Sequence, residues 1–445
     1  MDWVEELGKI CEVFPPSDAY RVDETPPLIA PEPAENFVVV KPENSVDVSE
    51  ILKFANERGI PVFTRGGGTG LSGGAVPTAN GILLSTEKMV EIEVDTENRV
   101  AVCGAGVTLK QLDRAAFKNG LSFPPHPGAE TATVGGMIAT NAGGVRALKY
   151  GTMRNYVLGL EFVLASGKIL RVGGRTVKNS SGYSLLHLLI GSEGTLGVVT
   201  QATLRLFPAM KDITVLAAPF QRMEDAMSCV VEISSKMLPM ALEFMERRAV
   251  EIGERVSGRR WVSREGEAHL LMIFERFDEA EEAAEIAENK GAIDVFVATG
   301  KREQDDLMAV RGLIYEGLRN EIIEILDACV PPAKIADYWR KSNELAEKYG
   351  IELVTYGHAG DGNVHQHPLI YDGWENTYFE FRKKLLELAV SYGGVISGEH
   401  GIGTVKIQEL AEICPDQYRI MKEIKSLFDP RGILNPGKVV LPNHG

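Results

Sequence analysis

The sequence predicts an α+β protein of two domains followed by a short C-terminal segment, and three observations carry that prediction. At 445 residues the chain exceeds what one hydrophobic core ordinarily organises. Its 46 glycines gather in blocks around 66–74, 104–106, 135–151, 191–197, 357–362 and 393–403. Beyond Pro208 the texture changes to charged helical segments interleaved with apolar strands, the alternation of a second α+β unit. The division drawn from these is 1–208, 209–414 and 415–445.

The opening stretch, proline-rich at Pro26–Pro33, reads as surface-wrapping chain. Val38–Val40 is a short buried strand. Asp47 and Glu50 have capping-box spacing and start a helix that Gly59 ends. Pro61–Thr64 is a strand running directly into Arg65-Gly66-Gly67-Gly68-Thr69-Gly70-Leu71-Ser72-Gly73-Gly74. Strands recur at Gly81–Ser85, Val90–Val94, Val100–Cys103, Leu158–Leu164, Ile169–Val172 and Gly197–Leu206, with helices at Thr108–Asn119 and Tyr183–Ile190. In the second domain, helices fall at Met223–Met237, Asp278–Lys290 and Gln304–Glu316, and strands at Leu270–Phe274 and Ala292–Ala298. The segment from Pro415 holds one further helix.

Composition narrows the function. A net charge of -15 argues against nucleic acid or an anionic membrane as main partner. No apolar run approaches the roughly 18–20 residues of a membrane span. Met1-Asp2-Trp3-Val4-Glu5-Glu6 has neither the basic region nor the apolar run of a signal peptide, so a cytoplasmic protein is expected. The five cysteines are scattered and never form C-x-x-C, which excludes a disulfide framework and disfavours an iron–sulfur cluster within this chain.

Two features carry chemistry. R-G-G-G-T-G-L-S-G-G after a strand offers unobstructed N–H groups and the Thr69 and Ser72 hydroxyls, a nest suited to pyrophosphate. It is neither a dinucleotide fingerprint opening a βαβ unit nor a Walker A loop. The second feature is H-A-G-D-G-N-V-H-Q-H at His358–His367. Asp361-Gly362 reads as a two-residue type I′ hairpin turn, which sets His358 opposite His365. Cβ atoms so paired lie about 4.5–5.5 Å apart, close enough to share a metal ion. Glu399 supplies the third ligand of a His/His/Glu site with open positions. His400 beside it faces the substrate, Gly398, Gly401 and Gly403 leaving the backbone free to turn. His367, on the same face as His365, is expected to support the ligands from behind, with the role of substitute ligand as the alternative. The ligand types fit zinc, manganese or iron, with zinc preferred.

Several long motifs, in order and spanning nearly the whole chain, resemble one family. The glycine loop, P-G-A-E-T-A-T-V-G-G at 127–136, N-A-G-G at 141–144 and G-S-E-G-T-L-G at 191–197 are similar to the FAD-binding domain of the vanillyl-alcohol-oxidase superfamily, the PCMH-type fold. H-A-G-D-G-N-V-H and G-E-H-G-I-G resemble its D-2-hydroxyacid dehydrogenase branch, which includes D-lactate dehydrogenases, glycolate oxidase catalytic subunits and D-2-hydroxyglutarate dehydrogenases. The resemblance implies a flavoprotein with an α+β cap domain. It places Arg65, Gly66, Gly67, Gly68, Thr69, Gly70, Leu71, Ser72 and Gly73 on the FAD diphosphate. Pro127, Gly128, Thr133, Gly135, Gly136, Asn141, Gly144 and Val199 fall along the flavin and adenosine. Asn435 reaches the flavin from a C-terminal segment returning to the first domain. Thr69 stands where some members tether FAD through a histidine, so the FAD is expected to be non-covalent. Glu193 is expected to be structural.

The implied reaction is oxidation of a small D-2-hydroxyacid by hydride transfer to flavin N5. The metal binds the substrate hydroxyl, His400 is general base, and Arg311 holds the substrate carboxylate. Tyr315, Arg319 and Lys334 are lesser candidates near Arg311. Dicarboxylate-specific relatives carry an additional lysine where this chain reads Ile323-Glu324-Ile325-Leu326-Asp327, which tilts the substrate towards D-lactate or glycolate. The rivals are an alkylglycerone-phosphate-synthase-like flavin transferase, D-2-hydroxyglutarate dehydrogenase, a non-catalytic flavin subunit and a metal-only hydrolase. Electrons must leave to a separate acceptor: an iron–sulfur subunit, an electron-transferring flavoprotein, a quinone, a cytochrome or oxygen. A homodimer is left open.

Overall fold

A computed structural model describes residues 3–209 and 212–441; His444 lies outside them. The first domain is built on two sheets. Strands Phe37–Val40, Gly81–Ser85 and Val62–Arg65 pair in parallel, with Val13–Phe14 added antiparallel at the edge. Helix Ser45–Arg58 makes the crossover, burying Val48, Ile51, Leu52 and Ala55 against that sheet. It begins at Asn44 rather than at Asp47. The Asn44 side chain accepts the N–H groups of Val46 and Asp47, while Asp47 reaches back to the Glu43 N–H at 2.9 Å. Asn44 thus outcompetes the expected box because it satisfies donors one turn earlier. The helix ends at Gly59, φ +66°, as its sequence suggests. The second sheet is five-stranded and antiparallel, in the order 92–95, 100–104, 198–205, 157–163, 169–173.

The second domain is a seven-stranded sheet in the order 296–298, 214–220, 268–274, 241–246, 353–358, 363–368, 326–329. Side chains alternate between its two faces. Leu216, Ala218, Phe220, Leu270, Met272 and Phe274 pack beneath helices Met223–Lys236 and Phe277–Asn289. Val215, Ala217, Leu271 and Ile273 point the other way, into a second core with helices Arg247–Ser257 and Lys301–Gly312. The helix expected over Gln304–Glu316 breaks at Leu313 and resumes as Ile314–Leu318. The strand expected from Ala292 shortens to Phe296–Ala298. Among the described residues, no helix is long and apolar enough to cross a membrane.

Helix Pro415–Phe428 leans on both halves, Tyr418 and Met421 against the core of the second domain and Ile424 and Phe428 against that of the first. The chain then runs back beside the first sheet, where Leu434 bridges Val62 in parallel. Asp429 secures this return by accepting the N–H groups of Ile433 (3.1 Å) and Leu434 (2.7 Å) and the Lys425 ammonium (2.6 Å). Lys425 also donates to the Thr195 and Leu434 carbonyls. Asp429→Ala leaves that ammonium buried without its counter-charge. The expected loss is about 3–5 kcal/mol, measured as a lower urea midpoint; an unchanged midpoint would contradict the assignment.

Candidate active site

The site begins with register. Glu243 on strand Ala241–Glu246 lies opposite His358, and His358 opposite Asn363. In the next row Tyr356 lies opposite His365, and His365 opposite Asp327. All six residues therefore occupy one face of the sheet. The hairpin differs from expectation. Ala359–Gly362 form a four-residue loop closed by the Gly362 N–H on the His358 carbonyl at 3.0 Å. Of the expected turn pair only Gly362 has positive φ, and a Cβ there would sit 1.9 Å from the Val330 carbonyl. The pairing is thereby shifted by two residues. An even shift preserves the face, so the two imidazoles still meet, with ring centroids 5.2 Å apart.

Loop 397–403 brings the other groups. Glu399 Oε1 lies 3.6 Å from His358 Nε2 and 3.4 Å from His365 Nε2, and one donor atom from each of the three falls within 4.8 Å of the others. His400 stands beside them, its Nε2 3.7 Å from Glu399 Oε1 and its ring 5.2 Å from that of His365. The electrostatics separate the two hairpin histidines. Burial alone would lower His358, but Glu243, 2.7 Å from Nδ1, and Glu399 outweigh it and hold the imidazole at about 10. Among the described residues His365 has no such carboxylate on its far side, and burial pushes it down to about 4 against partial opposition from Glu399. Burial would raise Glu399, yet the two histidines hold its carboxyl well below the usual range.

The residues fit a divalent ion. Two imidazoles and a carboxylate converge, and the buried Nε2 of His365 has no hydrogen-bond partner among the described residues. His367 lies further along the same strand. It stacks on Tyr356 at 4.7 Å, with Nδ1 on the Val354 carbonyl, and takes no part in the three-residue cluster.

A cleft of 680 Å³ joins this cluster to the glycine loops. Gly66–Leu71, Pro127, Gly128, Thr133, Gly135, Gly136, Gly144, Val199 and Asn435 line it, as do Arg311, His358, His365, Glu399 and His400. Gly66 and Gly67 lie so close to Thr131–Thr133 that a Cβ would meet protein within 2.2 and 2.5 Å. At Gly70 and Gly128, by contrast, a Cβ would meet nothing within 4 Å. That combination, glycine segments packed tightly behind and open in front, fits a cofactor laid along backbone.

Four residues expected on the cofactor do not line the cleft. Arg65 turns back, donating to the Val22 carbonyl at 2.7 Å over the Tyr20 ring. Ser72 points at the His400 carbonyl (3.0 Å), and the Gly73 N–H is taken by Thr25 Oγ1. Asn141 caps a helix in left-handed conformation and accepts from Thr152 and the Arg154 N–H. In each case a hydrogen bond within the protein engages the group that the motif suggested for a ligand. Asn435 lines the cleft, but its amide is engaged, accepting the Thr64 N–H at 3.0 Å and donating to the Glu193 carbonyl at 2.7 Å. Arg311 pairs with Glu243 through Nε (3.0 Å) and Nη2 (2.7 Å) and lies over the Tyr356 ring. Tyr315 and Arg319 line the cleft, whereas Lys334 does not.

Sequence reasoning missed Glu243 and Asp327. Both are fully buried carboxylates in apolar strands, Met240-Ala-Leu-Glu-Phe-Met245 and Leu326-Asp-Ala-Cys329. An acid at a position where strand alternation demands a core residue was the available signal.

Comparisons with known proteins extend this picture. Residues 37–173 match an FAD binding domain and residues 209–439 match the C-terminal domain of FAD linked oxidases. The chain is 78% identical over 440 residues to a D-lactate dehydrogenase of Archaeoglobus fulgidus, covering 99% of each. It is 38% identical over 416 residues to the glycolate oxidase subunit GlcD of Bacillus subtilis, covering 90% of this chain and 88% of that one. Substrate-bound p-cresol methylhydroxylase shares the fold, with a TM-score of 0.76 at 18% identity over 100% of this chain and 97% of that one.

Because Glu243 orients His358 from behind, Glu243→Gln is expected to weaken divalent-ion affinity by about 10–100-fold. Competition with a fluorescent chelator measures this. Unaltered affinity would show that His358 needs no such support.

Proposed function

The chain belongs to the family of FAD-linked oxidoreductases that includes D-lactate dehydrogenases and glycolate oxidase subunits, and from that premise we propose that it oxidises a small D-2-hydroxyacid, D-lactate first, to the 2-oxoacid. The observation that carries this reading is the continuity of one cleft from the glycine loops to His358, His365, Glu399, His400 and Arg311. High identity to a D-lactate dehydrogenase supports the choice of substrate.

When bound, FAD along the glycine loops supplies the two-electron acceptor, and a divalent ion between His358, His365 and Glu399, zinc above manganese or iron, supplies Lewis acidity. The protein's own groups do the rest. Arg311 is fixed by Glu243 through one edge of its guanidinium, which leaves Nη1 to meet the substrate carboxylate. His400 takes the hydroxyl proton as general base, from a position beside the carboxylate of Glu399. Tyr356, which lies under Arg311 and stacks on His365, ties both to one ring. Ile325, apolar and lining the cleft, stands in the stretch where a second substrate carboxylate would need a cation. This favours a monocarboxylate over 2-hydroxyglutarate. A separate acceptor removes the electrons, and the relative named as a subunit supports a partner protein in that role.

Anaerobic mixing with a panel of hydroxyacids tests the proposal. D-lactate is expected to bleach the flavin and L-lactate to leave it oxidised, with chelation abolishing the response. Equal bleaching by both enantiomers, or indifference to chelators, would remove the metal site from the reaction. His400→Gln should lower the bleaching rate by about 10²–10⁴-fold with FAD content retained; a rate within twofold of wild type would dismiss His400 as the base. Arg311→Lys should act chiefly on KM, since an ammonium cannot keep the bond to Glu243 and also offer the fork.

A further inference from the structure

Loop 397–403 belongs to the second domain, yet much of what fixes it comes from the first. Ser72 Oγ donates to the His400 carbonyl at 3.0 Å and lies 3.4 Å from that of Gly401. Glu193 accepts the N–H groups of Ile402 and Gly403, one on each carboxylate oxygen, both at 2.8 Å. The Thr404 N–H returns to the Ser72 carbonyl at 2.9 Å. The approach is as close as backbone allows: a Cβ at Gly403 would sit 1.8 Å from the Ser72 carbonyl, and one at Gly401 would sit 2.8 Å from Glu193 Oε1. From the other side, Asp327 takes the N–H groups of Gly398, Glu399 and His400. The peptide units flanking His400 are therefore held at the N–H by one domain and at the carbonyl by the other.

We infer that Ser72 and Glu193, which sit on the two glycine-rich motifs of the flavin-binding half, are positioning residues for His400. Their hydroxyl and carboxylate are spent on the backbone of loop 397–403, Glu193 at the edge of the cleft it also lines. They act by transmitting the position of the flavin-binding half to the loop that carries the base. This rests on the reading above that His400 accepts the substrate proton. Misplacing such a group by about 1 Å costs on the order of 10²-fold in rate.

The test uses full-length holoenzyme with Ser72→Ala and Glu193→Gln. Hydrogen exchange at Ile402 and Gly403 is expected to quicken about tenfold or more in Glu193→Gln, a readout that needs no substrate. Single-turnover flavin reduction by D-lactate should slow about 10- to 100-fold in Glu193→Gln and several-fold in Ser72→Ala. FAD content and the KM for D-lactate should stay within about twofold of wild type. Ser72→Ala removes one oxygen and serves if Glu193→Gln fails to fold. Unchanged reduction rates in the folded variants, or a loss of rate matched by loss of FAD, would overturn the inference. If no hydroxyacid bleaches the wild-type flavin, the proposed reaction falls instead, and the exchange readout alone decides whether the loop is clamped.

Discussion

The arrangement depends on one buried charge pair. Asp327 is wholly inaccessible, and Lys406, 2% exposed, meets its Oδ1. Burial would raise the Asp327 carboxyl, but Lys406 and His400 outweigh it and hold it near about 2. Kept ionised, its other oxygen accepts three consecutive N–H groups, from Gly398 to His400, at 2.8–3.1 Å. A neutral side chain could not satisfy three donors with one oxygen at comparable strength. From the second-domain side, the loop bearing Glu399 and His400 has a defined path because an ammonium is buried beside a carboxylate. Desolvating that pair is unfavourable by itself; what it gives in return is a fixed backbone.

A second carboxylate organises the opposite side of the site. Glu243 is shared between His358 and Arg311, so the imidazole and the guanidinium cannot shift independently. Tyr356 extends the coupling, lying under Arg311 and stacked on both His365 and His367. The result is a rigid face made by cross-strand neighbours rather than by loops.

How much of this the sequence discloses follows from what kind of signal each feature leaves. Glycine blocks and strand punctuation mark the first domain because positive φ and close approach require particular residues. Gly59 stands where local chemistry puts it, ending its helix in the left-handed region. The union of His358, His365 and Glu399 survives a misjudged turn because strand periodicity tolerates an even slip in register. Other features leave no local trace. Whether Ser72 faces a phosphate or the carbonyl of a residue over 300 positions away depends on tertiary packing. The same holds for Arg65, claimed by the Val22 carbonyl. Glu243 and Asp327 are invisible to spacing rules, since their partners come from other strands and only their placement among core residues sets them apart.

The C-terminal return carries a consequence for biogenesis. Asn435 closes the cleft by bonding to Thr64 and Glu193, and Leu434 extends the edge of the first sheet at Val62. A nascent chain that has already made its first two hundred residues still lacks this wall. The ribosome must release the last segment before these contacts can form, so the cleft gains its Asn435 side only at the end of synthesis.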